Sequence, residues 1–474
     1  METGSRRRTT LALRWALPAG LAALLLWVPL PFGSVMPWSH TVVQVTAFLL
    51  LALASLTAPR LAGLRPVLVP AACVAGVALF GAIQSSTVPP AIVRAISPEH
   101  ARLQANAAAL ARSAGCERPV PSTLSLNPAA SRTAALTWLA VAAGMLAAAA
   151  AATERRHRRL LGAAIVASGL FQVLFGARTL ALAPGTIWGE KVGSDPSRLR
   201  GTFVNPDHLA LYLELALPIA FVWGWWALRH ARNEESIERR VALVAAPAIV
   251  WLTLFIGLAF TGSRGGLVGA CVGAAAQGLL LAARRRRWRV GLAGVLLALV
   301  GIGAVAVVGL QQGLGRWLAT SRYDLTWNDR LTVYGASWRL WEMFPLTGTG
   351  LATFRDAFTL VAPHAVTNAW YWHAHDDPLE VLVTTGLVGA ALVLIGVVAA
   401  AGGLVRRLRA DGRSEDRAAA LAAIGALVAV VVHSLFDFGM VLPANDVTLA
   451  VMVAAGLAAG TARASRGTRA ERPA

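Results

Sequence analysis

The sequence predicts an all-α polytopic membrane protein, with about twelve transmembrane helices and a large outer loop between the ninth and tenth. Three observations carry this. Of the 474 residues, 56% are hydrophobic and only 14% charged, against about 25% charged in soluble domains. Apolar stretches close to the ~20 residues that a bilayer requires recur along the chain. The arginine clusters between them fall on alternate connections, as the positive-inside rule demands. The same apolar content excludes disorder. Cys73, Cys116 and Cys271 are too few and too scattered for a disulfide framework or a Cys-based zinc site.

The spans run roughly 13–32, 41–58, 66–84, 133–152, 160–180, 207–228, 241–261, 265–283, 290–310, 379–401, 418–437 and 446–462. With a cytoplasmic N-terminus, the arginine clusters at 6–8, 60–65, 155–159, 229–240, 284–289, 406–417 and 463–472 all share one side. That side carries 28 basic and 9 acidic residues, the opposite side 15 of each. The net charge of +19 is therefore a topology signal, and no nucleic-acid partner is expected. Both termini are expected in the cytoplasm. The first span follows Arg6–Arg8, but Pro31-Phe32-Gly33-Ser34 after it offers no small-residue cleavage site, so it reads as a retained helix. No repeat or linker divides the chain, and residues 1–474 read as a single integral membrane domain.

Cytoplasmic connections are short and basic, without a glycine-rich phosphate loop. The outer side has two long loops, 85–132 and 311–378, and a medium one at 183–206. The first should hold one helix, with Ser97 placed to cap it, Pro98 in its first turn and Gly115 at its end. No chemistry is evident there. In the second, Leu331, Tyr334, Trp338 and Trp341 recur at helical spacing up to Pro345. An aromatic-faced helix at this depth should lie along the membrane surface. Seven of nine histidines (40, 100, 208, 364, 373, 375 and 433) fall on the outer side, which makes that side the place to seek function.

Four constellations stand out. Arg198 and Arg200 lead through Asn205, Asp207 and His208 into the sixth span; their guanidinium forks suit phosphate oxygens or a salt bridge. Arg264, flanked by glycines in Thr261-Gly262-Ser263-Arg264-Gly265-Gly266, is costly between two apolar spans without an anionic partner, or else snorkels from a tight turn. His373-Ala374-His375-Asp376-Asp377-Pro378 with Glu380 precedes the tenth span and suits acid–base work, a partial metal site or a surface cluster. His433 and Asp437, at i and i+4, share a face near the end of the eleventh span, either as a functional pair or as a buried one.

These pieces occur in one order: Arg198-x-x-Gly201-Thr-Phe-Val-Asn205-Pro-Asp207-His208, Ser263-Arg-Gly-Gly266, Arg330, Pro345-Leu-x-Gly348-x-Gly350, His375-x-Asp377-x-Leu379, Gly386-Leu-Val-Gly389 and His433-Ser-Leu-x-Asp437-Phe438. Together they resemble the O-antigen ligase and O-antigen polymerase superfamily over residues 195–440, including the outer loop 311–378. Asp376 and Pro378 depart from it, standing where the family commonly has an asparagine and an aromatic residue.

The resemblance implies a glycosyltransferase of the bacterial inner membrane with its active site facing the periplasm. Nucleotide sugars are absent on that face, so the donor must arrive activated and membrane-anchored, as a polyprenyl diphosphate-linked glycan. Arg198, Arg200 and Arg264 would hold its diphosphate. His375, with Asp377, would act on the attacking hydroxyl, with inversion and with no metal or other cofactor. Asn205, His208, Arg330, His373, His433 and Asp437 are further acceptor-site or structural positions. The acceptor is a lipid A-core sugar for a ligase and another lipid-linked glycan for a polymerase; both share these motifs. A transporter or flippase of lipid-linked saccharides also fits twelve spans, but it should show related halves and charge at midspan. No repeat is evident, and the charges gather at the outer face.

Overall fold

The structure is a computed structural model that describes residues 2–57, 64–116, 119–192, 195–285, 327–363 and 371–461. The ninth expected span, 290–310, and His364 lie outside the described residues. Fifteen α-helices are described: α1 Glu2–Trp27, α2 Pro37–Thr57, α3 Leu68–Ser85, α4 Pro90–Ile96, α5 Pro98–Ser113, α6 Pro128–Ala151, α7 Arg155–Leu182, α8 Pro206–His230, α9 Ile237–Phe260, α10 Arg264–Arg285, α11 Trp327–Met343, α12 Phe354–Phe358, α13 Asp377–Arg409, α14 Ser414–His433 and α15 Pro443–Ala458. Among the described residues, nine helices are long and apolar enough to cross a membrane, and Trp15–Trp27 and Pro443–Ala458 are shorter apolar helices. The protein is an all-α polytopic membrane protein. A two-stranded hairpin, β1 Thr186–Ile187 with β2 Glu190–Lys191, sits in the connection before α8.

Helix starts follow the local chemistry. Asn127 and Asn205 each accept a backbone N–H of the turn they open, with Pro128 and Pro206 next in sequence. Asp376 does the same for α13, accepting from Leu379 N at 2.7 Å. The two departures from the family pattern thus form one helix start: Asp376 is the cap, and Pro378 occupies the first turn, where a missing N–H costs nothing. Ser97 does not cap α5 as expected. Its hydroxyl bonds the Nδ1 of His100 at 2.8 Å instead. Gly115, at φ 71°, does end the helix.

α8 is the central element. Leu209 to Ala216 are all fully buried, the pattern of a helix enclosed on every side. Around it pack α7, α9, α10, α14 and α15. Glycines of α10 permit the closest approach: a Cβ at Gly269 would lie 2.8 Å from both Ala429 O and Glu214 Oε2.

At one end of the bundle, α4, α5, α11 and α12 form a smaller packed unit. Its core is Val333, Ala336, Leu340, Phe344, Phe354 and Phe358, with His100 edge-on to Phe344 at 4.6 Å. The expected aromatic face of α11 is split: Leu331 and Trp338 are about half exposed, whereas Trp341 packs against this core. The first outer loop, read as inert, buttresses the second. Leu126 N donates to Thr349 O and Ser131 Oγ to Leu351 O, and from the end of α3 Gln84 Nε2 donates to Thr347 O and Thr384 O.

α13 is interrupted at Gly386 (φ 60°, ψ −165°). The segment 345–350 fills the break: Thr349 N and Gly350 N donate to Val383 O and Thr384 O, and Leu387 N donates to Pro345 O. A Cβ at Gly386 or Gly348 would meet backbone atoms at 2.3–2.6 Å. Those glycines are required because two backbones touch there, and irregular backbone in a membrane helix needs such a partner.

Candidate active site

The connector from α14 to α15 organises the polar end of the bundle. The ring of Phe438 is stacked by His373 at 4.3 Å, and His208 and His375 meet it edge-on at 4.7 Å. Three histidines from two separate stretches thus surround one aromatic ring. Arg330, from α11, donates to the carbonyl of Phe436.

His375 has a left-handed backbone (φ 57°), uncommon for a residue with a Cβ. The Tyr334 hydroxyl holds its carbonyl at 2.8 Å. Its Nδ1 lies 3.7 Å from Asp437 Oδ1, an ion-pair contact longer than a hydrogen bond. Burial alone would raise the Asp437 carboxyl. The contact with His375 and the charges of His208, His375 and His433 outweigh it and hold the carboxyl below its usual range. His373 is fixed differently: Glu380 accepts from its Nδ1 at 2.8 Å and from Ala374 N at 2.9 Å.

Asp377 was expected to be the catalytic companion of His375. Its carboxylate instead accepts from Ser434 Oγ at 2.8 Å and Met440 N at 3.2 Å. It ties the start of α13 to the connector, and Asp437 is the carboxylate beside His375.

The three arginines separate. Arg198 donates to Thr261 O and pairs with Asp207, both at 2.5 Å, so it is tethered to the turn that precedes Arg264. Arg200 is buried, and its guanidinium spans the carbonyls of Val192, Val204 and Asp195. Burial first, then the neighbouring Arg198, lowers its proton affinity. It braces the loop. Arg264 is exposed at the first turn of α10. A Cβ on the next residue, Gly265, would lie 3.1 Å from the His433 ring and 3.4 Å from Phe436 Cβ, which sets Arg264 against the same connector. Asn205 caps α8 and approaches His208 Nε2 at 3.5 Å.

His433 does not pair with Asp437. Its Nδ1 is 2.7 Å from Glu214 Oε1, and both side chains are buried. Glu214 escaped the sequence reading, although a lone acid inside the apolar run Leu209–Phe221 was signal enough. Among the described residues, no group of three His, Cys, Asp or Glu is arranged to hold a metal ion.

The fold and this end of the bundle define a multi-pass membrane protein with a histidine–carboxylate–arginine site. Residues 247–394 match the family model described as O-antigen ligase, which supports the O-antigen ligase and polymerase superfamily. The match supports a membrane glycan-processing enzyme of that kind and implies lipid-linked glycan substrates in a membrane setting. The matched stretch includes Arg264, Arg330, His373, His375 and Glu380, but ends before His433 and Asp437. No curated protein matches the chain.

Proposed function

We propose that the protein is a glycosyltransferase of the bacterial inner membrane that moves a polyprenyl diphosphate-linked glycan onto an acceptor sugar hydroxyl at the periplasmic face. The observation that carries this reading is His375, held on a left-handed backbone 3.7 Å from the buried Asp437 inside the family-matched segment. Arg264 meets the donor diphosphate, with Arg198 behind it. The acceptor hydroxyl attacks the anomeric carbon as the carbon–oxygen bond to the diphosphate breaks. His375 takes the hydroxyl proton, and the Asp437 carboxylate stabilises the imidazolium so formed. One displacement inverts the anomeric centre. The leaving diphosphate remains paired with guanidinium, so no metal is required. Asp377, Arg330 and Arg200 maintain the scaffold.

Purified protein supplied with lipid-linked glycan, and with lipid A-core or a second lipid-linked glycan as acceptor, tests the reading. Transfer to one of them in the presence of EDTA is expected, and the acceptor used separates ligase from polymerase. Absence of transfer to both, or transfer abolished by EDTA and restored by a divalent ion, overturns it. The orientation has its own test. Cys116 is exposed and Cys73 buried, so an impermeant maleimide should label Cys116 in intact spheroplasts and lose that label in Cys116→Ser. Labelling of Cys116 only after lysis would invert the topology.

A further inference from the structure

A groove of about 680 Å3 opens between α7, α8, α14 and α15, at the end of the bundle away from the histidines. Its walls are apolar side chains, among them Val166, Ala167 and Met452, with Trp223 and Trp226 towards the C-terminal end of α8, near Arg229. Its mouth is not apolar. Arg155 Nε and Arg159 Nη2 lie 2.8 and 2.7 Å from the two oxygens of one carboxylate, Glu415, and both arginine side chains are more than half water-accessible or nearly so, at 50% and 59%. Arg158 is engaged separately, by Asp416 and by the carbonyls of Ala152 and Thr153. Two half-exposed cations sharing one anion leave positive charge uncompensated where the groove meets the headgroup region.

We propose that this groove is a binding site for an anionic phospholipid, with its acyl chain along α7 and α14 and its phosphate between Arg155 and Arg159. Water does not fill a space with such walls. The occupant must come from the membrane, and it must be an amphiphile with a negative head. Tryptophan at the interface is consistent with the mouth lying at headgroup depth. Basic recesses between membrane helices recognise acidic lipid headgroups through this combination of charge and apolar wall. The guanidinium fork contacts phosphate with two donors, and a phosphate can share both arginines with Glu415. This site is separate from the proposed transfer chemistry and does not depend on it.

Full-length protein is equilibrated with mixed micelles of phosphatidylglycerol and phosphatidylcholine, and retained lipid is counted by native mass spectrometry. The parent should retain phosphatidylglycerol selectively. Arg155→Gln with Arg159→Gln should lower that retention roughly 25-fold, about fivefold for each guanidinium. Ala167→Phe, which leaves the arginines in place and fills the apolar part, should also abolish it. Arg102→Gln, in the exposed Glu99 pair of α5, controls for general charge and should change nothing. A melting curve in phosphatidylcholine micelles shows which variants are folded. Equal retention of the two lipids by the parent, or parent-like retention by the folded double variant, overturns the proposal. Displacement of phosphatidylglycerol by an equal amount of polyprenyl phosphate would overturn the assignment of the occupant, and retention of no lipid would mean that protein fills the groove.

Discussion

The two ends of the bundle use charge in opposite ways. At the histidine end, three buried carboxylates each meet one histidine: Glu214 with His433, Glu380 with His373, Asp437 with His375. At the other end, arginines outnumber acids, and Glu415 serves two of them near the surface. Buried pairs are placed to a few tenths of an ångström and are intolerant of losing a member. Exposed pairs are worth little individually, and their collective sign sets orientation. Specific pairing orders one end, and excess charge marks the other.

The largest effect should come from breaking the histidine end at its proposed reacting group. His375→Ala should cut single-turnover rate by about 10²–10⁴-fold while donor affinity stays near the parent's. Turnover like the parent's would remove His375 from the chemistry. Next is the direct contrast between the ends. Glu214→Ala strands His433 and should cost about 3–5 kcal/mol of stability, whereas Glu415→Ala should cost about 0–1 kcal/mol. Thermal unfolding of both variants in one detergent measures the difference, and similar losses would erase the distinction between the ends. Arg264→Ala should weaken donor binding and turnover together by about 10–100-fold, the range of a charge-assisted hydrogen bond. Arg264→Lys should recover only part, because a point charge lacks the fork. Normal binding by Arg264→Ala would make that residue a turn arginine only.

The smallest effect concerns docking of the small unit formed by α4, α5, α11 and α12. Burial lowers His100 to about 4, from about 6.5 in an open chain. The detached α5 therefore binds the proton more readily than the docked one. Docking is fully favoured above about pH 6.5 and weakens as pH falls towards 4, by on the order of 1–3 kcal/mol. Limited proteolysis near residues 97–116 should speed up over that window in the parent and be pH-independent in His100→Gln.

Much of the architecture was legible because it is local. Apolar spans, prolines at helix starts and the arginine alternation are each read within about 20 residues. The site was legible in composition but not in pairing. His433 and Glu214 stand 219 residues apart, and the i, i+4 spacing pointed His433 at Asp437 instead. Asp377 lay closer in sequence to His375 than Asp437 did, yet the Ser434 hydroxyl and the Met440 amide claim it. Phe438, the ring that gathers three histidines, carries no charge and so drew no notice. α11 was legible only in part for a related reason: Leu331 and Trp338 face away from the core, whereas Val333, Ala336 and Leu340 pack into it and Trp341 lies against it.

The interruption at Gly386 has a consequence for aim. In an unbroken α-helix each residue is rotated about 100° from the one before, so the face that meets lipid would dictate which way every earlier side chain points. The break at Gly386 cancels that dependence. Leu387 and Val388 turn outward, as do Leu394, Ile395 and Val398 further along, without fixing the azimuth of the turns that carry Asp377 and Glu380. The short leading segment can be swivelled to suit the connector while the long trailing one keeps its register with the bilayer, and the backbone of 345–350 acts as the bearing between them.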